Sequence, residues 1–221
     1  MVSYLMNCID RFPKTANITE DNIKNSGYPI DEIIISDNGS TQQEIKDWAQ
    51  GFANTFFDRG KNIGNPQSLN AMIKSCKGEI IVIAGNDIEL PQDWLKKAIE
   101  ELKDINVGLV GFDWRNEKLT ETHNGLTVTQ GSPFGTWVFR RDLLRTVGYF
   151  NEWSKYGLWD SAYALRCKHA GYINGYVTDA PSKHKGDDVG EDSDYRRMKN
   201  EEMQKAKQGY SELMKQLTKN N

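Results

Sequence analysis

Two strand-like runs in this chain end in a carboxylate at a turn. They are Asp37, in Ser36-Asp37-Asn38-Gly39-Ser40, and Asp87, in Gly85-Asn86-Asp87. Asp and Asn favour strand-end turns for conformational reasons alone, so either aspartate by itself is ordinary. Two of them predict more, because the carboxyl ends of parallel strands share the sheet edge where ligands collect. A third carboxylate, Asp160, begins a helical pattern. The helix dipole favours a carboxylate there with or without a catalytic role. His184, between Lys183 and Lys185, has the surroundings of an exposed side chain, and His123 and His169 read as structural or surface residues.

Phosphate chemistry narrows the options. Gly60-Lys61-Asn62-Ile63-Gly64 lacks the spacing of a dinucleotide fingerprint, and no Walker-type loop occurs. A nucleotide bound at this edge would therefore need a metal to hold its diphosphate. Hard oxygen ligands such as Asp87 suit Mg²⁺ or Mn²⁺.

These residues need a scaffold, and the first half of the chain supplies an alternating one. Tyr4 to Cys8, Glu32 to Asp37, Glu79 to Ala84 and Val107 to Gly111 read as strands, the middle two as β-branched runs buried on both faces of a parallel sheet. Thr41 to Glu44 has capping-box spacing before Ile45, Trp48, Ala49 and Phe52 at helical intervals. Asn65-Pro66 and Pro91 open two further helices. This order predicts an open α/β sheet. Residues 112–139 suggest short antiparallel strands and loops, and Arg141 to Val147 a short helix. Leu158 to Ala170 suggests a helix ended by Gly171, and Tyr172 to Val177 a late strand. Tyr210, Leu213, Met214 and Leu217 mark one face of a C-terminal helix packed back on the rest. The expected organisation is a domain over 1–190 with that helix in 191–221.

Composition fits an ordinary globular protein, with 38% hydrophobic and 27% charged residues in 221. A net charge of −3 gives no electrostatic case for wrapping a polyanion. Cys8, Cys76 and Cys167 have neither disulfide nor zinc spacing and read as buried thiols of a reducing compartment. The longest apolar run, Ile80 to Ala84, is far short of the roughly 20 residues of a membrane span, and strand-like sequence begins almost at Met1. Cytoplasm is the expected location. The acidic run Asp187, Asp188, Glu191, Asp192 and Asp194 reads as a solvated loop, with a lid over a donor as its alternative.

Taken in order, several motifs resemble glycosyltransferase family 2, whose members have the GT-A fold, a Rossmann-like, mainly parallel sheet flanked by helices. They are Asp37-Asn38-Gly39-Ser40-Thr41; Arg59 to Gly64 followed by Asn70; Gly78-Glu79 with Asn86-Asp87, Pro91 and Trp94-Leu95; Phe139 to Arg141 with Gly148-Tyr149-Phe150; and Trp159-Asp160, Arg166 and Ala170-Gly171-Tyr172. The resemblance runs from the first strand to His184. It implies a nucleotide-sugar donor, UDP-linked in the first instance, held by Arg11, Asp37, Asn38, Arg59, Asn62, Asn70 and Asn86. It implies Mn²⁺ or Mg²⁺ on Asp87 and His184, Asp160 as the base, and Trp137 and Trp159 on the acceptor side.

In such a transfer, charge builds on the departing diphosphate, where a metal stabilises it, while a carboxylate on the opposite face takes the hydroxyl proton. One base opposite one leaving group implies inversion. The sequence departs from the family at Gly85, where a carboxylate or amide is usual, and at Trp159, where Glu is common. Trp159 could stack on a sugar or simply fill the core. Two rival readings stand beside transfer. A silent carbohydrate- or partner-binding module would not need Asp160, and a nucleotidyltransferase would need a Gly-rich basic loop that Asn7 to Lys14 does not supply. A glycan, a lipid-linked sugar, a protein side chain or a modified nucleic-acid base could each present the acceptor hydroxyl.

Overall fold

The β-branched runs form the middle of one mixed sheet, in a computed structural model that describes residues 1–115, 119–133, 135–186 and 194–219. In chain order the strands are β1 (Val2–Cys8), β2 (Glu32–Asp37), β3 (Thr55–Asp58), β4 (Ile80–Ala84), β5 (Ile88–Glu89), β6 (Val107–Gly111), β7 (Thr122–His123), β8 (Leu126–Val128), β9 (Trp137–Arg140), β10 (Ile173–Val177) and β11 (Lys183–His184). The helices are α1 (Lys14–Lys24), α2 (Gln43–Phe52), α3 (Asn65–Ser75), α4 (Trp94–Glu101), α5 (Leu143–Val147), α6 (Trp159–His169) and α7 (Asp194–Lys219).

Nine strands pair in the order β3-β2-β1-β4-β9-β6-β10-β8-β7, while β5 and β11 form a separate antiparallel pair. Strands β3, β2, β1 and β4 run parallel, and β9 is inserted antiparallel between β4 and β6. The inner strands alternate between two cores, as the two-residue period of a strand requires. Tyr4, Met6, Ile35 and Val82 face one layer with Trp94, Leu95 and Ala98 of α4. Leu5, Ile34, Ile81 and Ile83 face the other with Leu69 and Met72 of α3 and Tyr163 and Cys167 of α6. All three cysteines are free and buried.

Three local expectations are revised. Gln42, not Thr41, is the N-cap of α2, and its side chain makes no capping bond. Asp10 replaces the expected box: its Oδ1 accepts the Thr41 and Gln42 N–H groups at 2.7 and 2.9 Å. Gly64, with φ 101°, precedes α3, so Asn65 is helical and caps nothing. On the C-terminal helix Met214 is exposed, and the buried positions include Glu202, Ala206 and Leu213. The acidic run from Asp187 to Asp192 lies outside the described residues. No described helix is long and apolar enough to cross a membrane.

Candidate active site

Parallel pairing aligns the strand ends. Cys8 of β1 stands beside Asp37 of β2, and Met6 beside Ala84 of β4. The loops that leave these ends border a cleft of about 620 Å³, closed on its other side by residues 155–161 and by α7. That volume lies within the usual range for small-molecule sites. Arg11, Asn38, Asn62, Asn86, Asp87, Trp159, Asp160 and His184 all line it.

Asp87 meets a guanidinium and an imidazole. Its Oδ2 lies 3.3 Å from Arg11 Nη1 and 3.4 Å from His184 Nε2. The backbone fixes this convergence, because His184 pairs with Ile88 across β11 and β5, and Lys185 N–H donates to the Asp87 carbonyl at 2.7 Å. The indole of Trp114 stacks on the His184 ring with centroids 4.7 Å apart. A carboxylate oxygen and an imidazole nitrogen converging in this way fit a divalent cation that takes its remaining oxygens from a diphosphate and water. Among the described residues no group of three or more His, Cys, Asp or Glu side chains is placed to hold a metal; Asp87 and His184 converge there as a pair.

Gly85 explains its own departure from the family. A Cβ there would lie 2.7 Å from Ile88 Cγ1 and 3.1 Å from the Gly135 carbonyl, so the position has no room for a carboxylate.

Asp160 sits in the first turn of α6, after Leu158 at φ 53°. Its Oδ1 accepts the Ser161 N–H at 2.7 Å. Burial raises its pKa, and the bonds to Ser161 and the nearby Arg115 charge offset only part of that rise. The carboxylate therefore binds a proton more readily than an exposed aspartate does, which suits a base.

Four expected site residues do not line this cleft. Asp37 has 0% exposure, and its Oδ1 accepts the Gly39 and Ser40 N–H groups at 3.0 and 2.9 Å. It shapes the turn that presents Asn38, with its Oδ1 taken up by that turn. Arg59 donates to Ser36 Oγ at 2.9 Å, and its guanidinium covers the Phe57 ring at 4.4 Å. Asn70 is buried and bridges α3 to the Phe150 N–H, the Phe150 carbonyl and Glu152. Trp137, 2% exposed, lies beneath Trp159 with centroids 5.4 Å apart and backs the cleft wall from the core.

Other lining residues were absent from the sequence-based set. Trp114 and Arg115 follow β6, and the Arg115 guanidinium covers the Trp114 ring at 4.8 Å. Asn7 also lines the cleft, accepting from Ser68 Oγ at 2.6 Å and donating to the Asn65 carbonyl at 3.3 Å. Its position one residue before the end of β1 was the available signal. Trp114 had none, because the two-residue strands that bring His184 beside it are too short to carry a period.

The family model for glycosyl transferase family 2 matches residues 7–154. A search of curated proteins found no significant match. Among solved structures, a mannosyltransferase of Pyrobaculum calidifontis in complex with GDP-Man and Mn²⁺ matches with a TM-score of 0.70 at 22% identity, over 86% of this chain and 58% of its own. GalNAc-T7 with UDP, GalNAc and Mn²⁺ matches at 0.69 and 12%, over 83% and 43%. S. aureus TarS with UDP-GlcNAc matches at 0.65 and 14%, over 86% and 59%. The chain thus spans between 43% and 59% of these three solved chains, that of TarS being its residues 1–349, and at such identities the likeness is one of fold. Matched by the family model over residues 7–154, most of its length, the chain belongs to glycosyl transferase family 2.

Proposed function

We propose that the protein is an inverting glycosyltransferase that moves a sugar from a nucleotide-sugar, a UDP-sugar in the first instance, to an acceptor hydroxyl. One observation carries the reading: Asp87 with His184 and the proton-avid Asp160 open into a single cleft large enough for a nucleotide-sugar. The family match and the nucleotide-sugars bound by structural neighbours support it.

The residues divide the work. The Asn38 and Asn62 amides, 3.3 Å apart, and Asn7 face the nucleoside. Asp87 and His184 would hold Mn²⁺ or Mg²⁺, which supplies positive charge to the diphosphate. Arg11, beside Asp87, adds a cation that needs no metal. Asp160 removes the acceptor proton as the hydroxyl oxygen bonds the anomeric carbon. The bond from that carbon to the phosphate oxygen breaks on the opposite face, and the pair of electrons leaves with the diphosphate. Trp159 offers an aromatic face to a sugar, held from behind by Trp137 and Phe150. Three buried free thiols favour a reducing compartment, and cytoplasm is the proposed location.

The test is a turnover screen over UDP- and GDP-sugars with Mn²⁺ or Mg²⁺. Metal-dependent release of nucleoside diphosphate from one donor supports the reading. Absence of release from every donor, with no calorimetric binding of UDP or GDP, contradicts it.

A further inference from the structure

The C-terminal helix lies beyond the stretch matched by the family model, yet Met198, Lys199 and Met203 of α7 line the same cleft as Asp160. Beside Met203, Glu202 is buried, with 7% exposure. Its Oε2 accepts the backbone N–H of Lys155 at 2.5 Å, and its Oε1 meets Lys205 Nζ at 2.7 Å. The Lys155 carbonyl in turn accepts the N–H of Asn65 at 3.0 Å, which links the latch to the start of α3.

From Lys155 the chain makes a tight passage into α6. Gly157 has φ 90°, and a Cβ there would lie 2.8 Å from Met203 Cε. Leu158 follows at φ 53°, and then come Trp159 and Asp160. Lys199 Nζ covers the Tyr156 ring at 4.5 Å, and Trp153 packs where Gly209 leaves space on α7. A loop in water could satisfy the Lys155 N–H without a protein partner. Withdrawing a carboxylate from solvent is costly unless it is paired and hydrogen-bonded, and Glu202 meets that condition through Lys205 and the Lys155 N–H together. Charge-assisted bonds of this kind also fix geometry more firmly than neutral ones.

We propose that Glu202 is a positioning residue for sugar transfer: through the Lys155 amide it fixes the turn that carries Trp159 and Asp160, so that the C-terminal helix sets the geometry of the base. The proposal rests on the transferase reading above and extends it to the C-terminal helix.

The test compares E202A, E202Q and L213A with the parent, where Leu213 is a buried α7 position away from the cleft lining. Misplacing a reacting group by about 1 Å can lower turnover on the order of 10²-fold. E202A is therefore expected to lower kcat on that order while donor KM stays within about twofold. E202Q, which keeps an oxygen for the Lys155 N–H, is expected to recover most of the rate, and L213A to lower Tm with kcat retained. Hydrogen exchange of the metal-free, donor-free protein reads the latch without turnover. Peptides over 153–161 should exchange faster in E202A and as in the parent in E202Q.

Unchanged kcat or unchanged exchange in E202A would overturn the proposal. So would equal losses of kcat in E202A and L213A at equal losses of Tm, which is what a merely structural role produces. A parent inactive with every donor would bring down the transferase reading, and the latch's catalytic role with it. An active parent with an unaffected E202A would bring down the latch alone.

Discussion

Replacing Asp160 with Asn removes a proton acceptor and almost nothing else. The amide is nearly isosteric, and its oxygen can keep the 2.7 Å bond from the Ser161 N–H. Positioned general bases contribute roughly 10²–10⁴-fold, or about 2.7–5.4 kcal/mol of transition-state free energy at 1.36 kcal/mol per decade. Transfer should fall by that factor, with donor affinity unchanged because Asp87, His184 and the asparagines are untouched. The pH profile should change as well. Burial raises the Asp160 pKa, so parental activity rises with pH until that group is ionised, and the acid limb should vanish in the variant. Stability gives an independent sign. A raised folded pKa means that the folded state holds the proton longer than the unfolded state does, so stability falls as pH rises through the window that opens near the ordinary aspartate value of about 4. Asp160→Asn has no such loss and should melt higher than the parent above that window and no higher below it. Single-turnover kinetics, calorimetry with the nucleoside diphosphate and Tm against pH check all three. Transfer within threefold of the parent, or lost donor affinity, would refute the assignment of Asp160 as base.

The metal pair and the aromatic backing give two further expectations. Asp87→Ala should abolish Mn²⁺-dependent donor binding in calorimetry, and His184→Ala should raise the Mn²⁺ needed for half-maximal turnover by on the order of tenfold; a chelator should stop turnover, and excess Mn²⁺ restore it. Trp137→Ala should destabilise the fold by about 3–5 kcal/mol as a buried aromatic, read by denaturant melts. Trp159→Ala, at a partly buried ring, should cost less stability and show mainly as a raised acceptor KM.

What the sequence made legible follows from burial. Strands β2 and β4 stand out because their inner residues are buried on both faces, which leaves β-branched runs without polar alternation. Helix α1 escaped because its buried face includes Thr15, Thr19 and Asn22, which carry no hydrophobic period. Strand β3 has four residues, and β5 and β11 two each, too few for a pattern. In the site, Asp87 and Asp160 could be found because strand ends and helix starts are visible in residue order. Asp37 looks the same in sequence whether its carboxylate serves a ligand or its own turn, and the bonds to Gly39 and Ser40 show the turn in use. Trp137 and Trp159 were both expected on the acceptor side, and only Trp159 lines the cleft, since nothing in 112–139 tells which way β9 points its indole. Glu202 was invisible as a buried group because a glutamate on a charged helix reads as solvated.

The most direct measurement is anomalous diffraction at the manganese edge from crystals grown with Mn²⁺ and UDP. The expected result is one Mn²⁺ about 2.1 Å from an Asp87 oxygen and from His184 Nε2, with the diphosphate beside it and Asp160 across the cleft. Manganese bound away from Asp87, or Asp160 lying against the diphosphate, would contradict the assignment of leaving-group and base sides on which the proposed reaction stands.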